Sequence, residues 1–263
     1  MPADKVGFMI SLAKALSQHG HTPHFWSKES SVRQARLLTE PKTPSSLTEE
    51  AFLLSQRFPT WVCDSPIDAA MAATHAGATV LLLGERSERC DQLSNVSIAL
   101  VEKNVINKVH TLEILAKSDV IVSIAEESIQ DLKHAYSNVF LSKWTISGQS
   151  MSPETAVFGF TGLHDSGAFY HCLLAHGYNV RGFVPLLHMQ HPEKQIHAML
   201  RMASSSKSIL VTTDKDSPFL TKKMKSHIRV MSFDLEVSAE LYSAIEQFFS
   251  SSSGIKEADC TAC

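Results

Sequence analysis

Residues 209–220 read ILVTTDKDSPFL. The segment opens apolar and β-prone with Ile209, Leu210 and Val211, then turns at once to two threonines and an Asp-Lys-Asp triplet. A short apolar run of this kind suits a strand buried on both faces. A strand that ends in hydroxyls and charges stops at the lip of a sheet. In open parallel sheets, ligands sit beyond the carboxyl ends of the strands. Asp214, Lys215 and Asp216 are therefore predicted to face a cleft. A lysine between two carboxylates suits an anionic head group there, or ion pairs that lock two parts of the chain together.

Outward from this segment, strand-length apolar runs alternate with helical patterns. Residues 155–160, 178–184 and 227–233 read as strands, and residues 192–203 and 237–249 as helices. Asp165 suits the cap of a helix through Phe169, Leu173 and Leu174 that Gly177 stops. In the first half, Phe8, Met9, Leu12, Ala13 and Leu16 recur at helical spacing over residues 6–18, and His19-Gly20 closes that helix. TWVC, SPIDAAMAATHAG and ATVLLLG form a strand–helix–strand unit, with Ser65-Pro66 opening the helix and Gly77 ending it. VSIALVE and SDVIVSI read as further strands. Strands separated by helices favour parallel sheets covered on both faces. The expected fold class is α/β with two lobes, residues 1–145 and 146–250, and a polar tail over 251–263. WTISGQSMSP, within 143–153, mixes Gly, Ser and Pro and suits a joint between the lobes.

The chain has 263 residues, 44% hydrophobic and 19% charged, with a formal net charge of -3. That is an ordinary globular composition. It lacks the strong basic field of a nucleic-acid binder. No run approaches the ~18 apolar residues of a membrane span, and no signal peptide is expected. The five cysteines are Cys63, Cys90, Cys172, Cys260 and Cys263. An odd count without metal spacing in the first three suggests reduced thiols. The terminal CTAC has C-x-x-C spacing but no second ligand pair, so it reads as part of an exposed tail.

Three segments in order carry a resemblance: FGFTGLHDSGAFYHCLLAHGYNV, LLHMQHPEKQI and ILVTTDKDSPFL. Together they resemble the C-terminal half of the tetraacyldisaccharide 4'-kinase family, the lipid A 4'-kinases. That family reads Gly-Ile-Gly-Asn-Pro with paired aromatics, then an Asp-His-His loop, then Val-Thr-Thr-Glu-Lys-Asp. Gly162-Leu163 and Phe169-Tyr170 match the first motif, His188 the second, and residues 211–216 nearly reproduce the third. KVGFMISLAKALSQHGHTPHFWS and TWVCDSPIDAAMAATHAGATVLLLG resemble the family's first half, so the likeness covers roughly residues 5–233.

The resemblance implies a P-loop kinase-like fold, truncated at the N-terminus, without the family's membrane-associated first helix. It implies phosphoryl transfer from ATP, with Mg2+, to the 4' hydroxyl of a disaccharide lipid A precursor. The implied partners are a glycolipid substrate and the cytoplasmic face of the bacterial inner membrane. Phosphoryl transfer needs a phosphate cradle, a metal site and a group that handles the attacking hydroxyl's proton. By the resemblance Lys5 falls at the P-loop lysine, with Asp4 in place of a glycine and Val6 in place of the hydroxyl that reaches Mg2+. Glu85 falls in the metal loop, beside Arg86. Glu49 takes the place of the acid in the family's Gly-Asp-Glu-Pro motif, and equally suits a helix start. His188 takes the place of that acid's histidine partner, flanked by Leu187 and Met189. Gly162, Asp214, Lys215 and Asp216 fall at the substrate cleft. Two other readings stay open: a catalytically inactive remnant that keeps the scaffold, and a non-kinase binder of a glycolipid or sugar phosphate.

Overall fold

Every residue from Val6 to Ala13 is buried, so the first helix runs through the protein and not over its surface. The computed structural model describes residues 3–39, 48–84, 96–101, 114–124, 129–147, 151–152, 154–163, 166–186 and 193–251. The helix α1 (Ala3–Gln18) ends where Gly20 takes a φ of 89°, a left-handed turn that glycine adopts without steric cost. It packs against β12 (Arg229–Leu235), against β1 (Pro23–Lys28) and against α2 (Glu49–Ser55).

Two sheets flank it within one compact unit, Met1–Ser87 with Lys143–Glu236. The first contains β1, β2 (Arg36–Leu37), β3 (Thr60–Cys63) and β4 (Val80–Leu83), in the order β2-β3-β1-β4. β1 runs parallel to β3 and β4, and β2 lies antiparallel on the edge. The helix α3 (Pro66–His75) links β3 to β4; Ser65 caps it and Pro66 fills its first turn.

The second sheet contains β8 (Trp144–Ser147), β9 (Ala156–Thr161), β10 (Asn179–Pro185), β11 (Ile209–Thr213) and β12, in the order β10-β9-β11-β12-β8. All pairings are parallel except β12 with β8. Its two faces show why the strands read as continuous apolar runs. Val157, Val211, Met231 and Phe233 share a core with α1, α2 and α5 (Ser166–Ala175). Phe158, Phe160 and Leu210 point the other way, into a core with α6 (Glu193–Ser205) and α7 (Lys222–Lys225). Burial on both faces removes the alternation that a half-solvated strand would show.

The other compact unit is Glu88–Ser142 with Val237–Cys263. It holds a parallel sheet, β5 (Ile98–Val101), β6 (Val120–Ser123) and β7 (Val139–Leu141), with α4 (Ile129–Ala135) and α8 (Ala239–Ser251). Val101, Ile121, Leu132 and Val139 form its core. These units divide the chain differently from lobes at 1–145 and 146–250. The first unit unites two sheets, and β8 of the second sheet crosses the boundary at 145/146. The segment 143–153, expected as a joint, begins with a strand: β8 pairs with β12 through Trp144↔Leu235 to Ser147↔Ser232. Trp144 and Ile146 pack on the main core, and that burial outweighs the turn-forming residues that follow. Residues 252–263, with CTAC, lie outside the described residues.

The end of β11 is closed by Asp216, which is fully buried. Its Oδ2 accepts hydrogen bonds from the hydroxyls of Thr161 at 2.7 Å, Thr212 at 3.0 Å and Thr213 at 2.5 Å. Its Oδ1 accepts the Gly162 N–H at 2.8 Å. Asp216 and Gly162, expected to face a substrate cleft, instead tie the end of β11 to the end of β9. The reason is saturation: a carboxylate that already satisfies three hydroxyls and a backbone amide is committed to the fold. Replacing it leaves those donors buried without an acceptor. Asp216→Ala is expected to lower stability by about 3 kcal/mol or more, measured by urea denaturation.

Candidate functional site

Helix starts and strand ends meet at Lys5. It lies in the first turn of α1, with its side chain 25% exposed. Its ammonium donates to Glu50 Oε2 at 3.3 Å, lies 3.2 Å from Oε1, and donates to the carbonyl of Gly84. Glu50 stands in the first turn of α2, and Gly84 follows β4, so the three groups come from three elements. A β-carbon built on Gly84 would fall 2.1 Å from Glu50 Oε1 and 3.4 Å from the Lys5 ammonium. Any side chain there would push the glutamate away, so the glycine makes room for the ion pair.

Thr48 decides which glutamate enters the site. Its hydroxyl accepts the Ala51 N–H at 3.3 Å and caps α2. That phase leaves Glu49 exposed at the head of the helix and turns Glu50 inward, 5% exposed. Glu49, expected as the acid of the site, is exposed at the head of α2, and its neighbour Glu50 pairs with Lys5. Two adjacent glutamates ahead of an apolar run do not distinguish these phases in sequence. Glu85, His188, His164 and Asp165 lie outside the described residues.

Lys215, expected to face a cleft or to lock parts of the chain through ion pairs, is 1% exposed. Its ammonium lies 3.8 Å from Asp214 Oδ1 and 3.6 Å from Asp234 Oδ1. It also stands over the rings of Trp144 and Phe233, 5.8 and 5.4 Å from their centroids. Those rings stack at 4.2 Å. Arg57, just past α2, places Nη2 at 2.5 Å from Asp214 Oδ2. Lys14, on α1, donates to Asp234 Oδ2 at 2.5 Å. Ser232 donates its hydroxyl to both aspartates. Lys215 is buried because α1, β8 and β12 cover it, a packing that no local pattern encodes. Lys14 and Asp234 did carry a local signal, since each is a lone charge within an apolar run, FMISLAKAL and VMSFDL.

The cluster joins three cations to two carboxylates, an excess of one positive charge if all are ionised. Burial pushes the Lys215 ammonium below its ordinary value; Asp214 and Asp234 oppose this, while Arg57 and Lys14 add to it. Burial alone would raise Asp234, but Lys215, then Lys14 and Ser232, outweigh it and hold the carboxyl below 3.8.

The site pairs one partly exposed amine, Lys5, with one buried carboxylate, Glu50. The metal side is different. Val6 is 3% exposed and belongs to the main core, so the position of the family's Mg2+-reaching hydroxyl carries no donor. Among the described residues, no group of three or more His, Cys, Asp or Glu gathers to hold a metal ion.

Parallel sheets flanked by helices make this an α/β protein. The chain matches no protein-family model. It is 24% identical over 260 residues to a tetraacyldisaccharide 4'-kinase from Paramagnetospirillum magneticum, covering 90% of this chain and 79% of that protein. It matches the fold of a crystal structure of LpxK from Aquifex aeolicus in complex with ATP, with a TM-score of 0.64 and 15% identity, over 95% of this chain and 85% of that one. The chain is thus similar in sequence to a tetraacyldisaccharide 4'-kinase and in fold to LpxK, the family that the ordered motifs of its C-terminal half resemble.

The sign of the pH effect at Asp234 follows from its lowered folded value. Its contribution to stability is present above the ordinary carboxylate value and is lost as pH falls through the folded one. Asp234→Asn is expected to cost about 2 kcal/mol at neutral pH. The gap from the unsubstituted protein should close under acid conditions, as followed by urea denaturation across pH.

Proposed function

We propose that the chain binds the phosphates of ATP at Lys5 and serves as a phosphotransferase of the lipid A 4'-kinase type. Its acceptor would be the 4' hydroxyl of a tetraacyldisaccharide lipid A precursor. The observation that carries this reading is the Lys5–Glu50–Gly84 constellation. It places an amine at the head of a helix, where backbone N–H groups and the macrodipole favour anions. It also places a buried carboxylate beside that amine, which would serve as proton acceptor if the attacking hydroxyl comes within hydrogen-bond reach of it. The relative's name and the ATP-bound structure with the same fold support it. In this reading Glu50 is the acid of the site, and His188 and Glu85 remain candidates for its histidine partner and a metal contact.

No helix among the described residues is long and apolar enough to cross a membrane. By the family resemblance, a glycolipid acceptor would be met at the cytoplasmic face of the bacterial inner membrane.

A second reading has its own observation. Glu50 already neutralises Lys5, and the hydroxyl position holds the buried Val6, so the chain would be a family scaffold whose phosphate site has decayed. Calorimetric titration with ATP, with and without Mg2+, separates the two. The kinase reading expects saturable ATP binding, weakened about tenfold or more in Lys5→Ala, with labelled phosphate transferred to the lipid precursor. Absence of ATP binding under both conditions selects the decayed scaffold.

A further inference from the structure

We infer that Lys215 is a positioning residue for Lys5: it sets the first turn of α1, and so holds the Lys5 amine between Glu50 and Gly84. The link is Gly7, two residues beyond Lys5. A β-carbon there would lie 3.1 Å from the Trp144 ring and 3.5 Å from Lys215 Cε. The helix backbone thus rests directly on the lysine stem and the indole. The ammonium at the end of that stem is fixed by Asp214, by Asp234 and by the stacked rings of Trp144 and Phe233. Asp234 then grips the same helix a second time, through Lys14 at 2.5 Å. Gly7 and Lys14 are about two turns apart, so one buried cluster holds α1 at two points along its length. A helix gripped in this way neither slides nor rotates freely. Release at Gly7 moves the neighbouring turn, and a Lys5–Glu50 contact of 3.2–3.3 Å breaks under a shift of about 1 Å, beyond ion-pair range.

The consequence for phosphate binding rests on the reading of Lys5 proposed above, whereas the control of Lys5 by Lys215 does not. The test reads Lys5 directly, without nucleotide. The full-length protein is acylated briefly with acetic anhydride, and modification of Lys5 is quantified by mass spectrometry relative to the exposed Lys222. In Lys215→Ala the Lys5:Lys222 ratio is expected to rise about fivefold, the scale set by loss of one partly exposed ion pair. Lys215→Met keeps the stem over Gly7 and should raise it less. Gly7→Ala changes no charge and should raise it as Lys215→Ala does, and it carries the test if Lys215→Ala does not fold. A purely structural lysine would lower the thermal midpoint and leave the ratio in the folded protein unmoved. An unchanged ratio in folded Lys215→Ala, or in Gly7→Ala, overturns the inference. Calorimetry with ATP on the unsubstituted protein tests the phosphate reading separately. Its failure removes the ligand and leaves the labelling result standing.

Discussion

Taking the Lys215 ammonium out of water costs several kcal/mol unless neighbours replace its hydration. Here two aspartates, at 3.6 and 3.8 Å, and two aromatic faces offset that cost by charge and not by hydrogen bonds, and each of them is thereby committed to a place. Asp214 must stand at the end of β11, Asp234 on β12, and Trp144 on a strand antiparallel to it. The aspartates in turn recruit Lys14 from α1 and Arg57 from the turn after α2. One buried cation thus ties residues near the start of the chain to residues near its end. Such a cluster contributes little net stability compared with apolar packing of the same volume, but it penalises any arrangement that leaves one member alone. It selects among packings of α1 more than it strengthens the chosen one.

That selection bears on chemistry because α1 carries Lys5. The apolar part of the helix alone would allow several rotations, since it is buried from Val6 to Ala13 on every side. A helix without a polar face has no amphipathic signal to fix its orientation. Close backbone approach at Gly7, the Lys14 ion pair and the Lys5 contacts supply the missing information. The same logic appears at Gly84, where the absence of a side chain lets Glu50 stand against the end of β4. In both places a glycine serves by admitting a neighbour's charged side chain, and neither has a positive φ.

Much of the architecture was legible in the residues. Strand runs such as TWVC, VIVS and ILVTT, and punctuation by Ser65-Pro66, Gly20, Gly77 and Gly177, predicted elements that the structure contains. The family resemblance, carried by three ordered motifs, agrees with the relative and the fold found by comparison. The short elements were harder to see. β7, three residues long, and β8, followed by turn-forming residues, depend on partners far along the chain. The helix start at Glu49 was legible in sequence, but which of the two glutamates meets Lys5 was not, because that depends on the phase of the folded helix.

The sequence by itself determined the alternation of strands and helices, their mostly parallel pairing and the likeness to the family, since these rest on local periodicity and ordered motifs. Only the tertiary structure decided that the Asp-Lys-Asp segment turns inward. It also decided that Asp216 closes two strand ends, and that Glu50 meets Lys5. A charge shows its sign in a sequence but not its solvent. Whether it faces water or a buried counter-ion depends on which distant elements cover it, and here α1, β8 and β12 do.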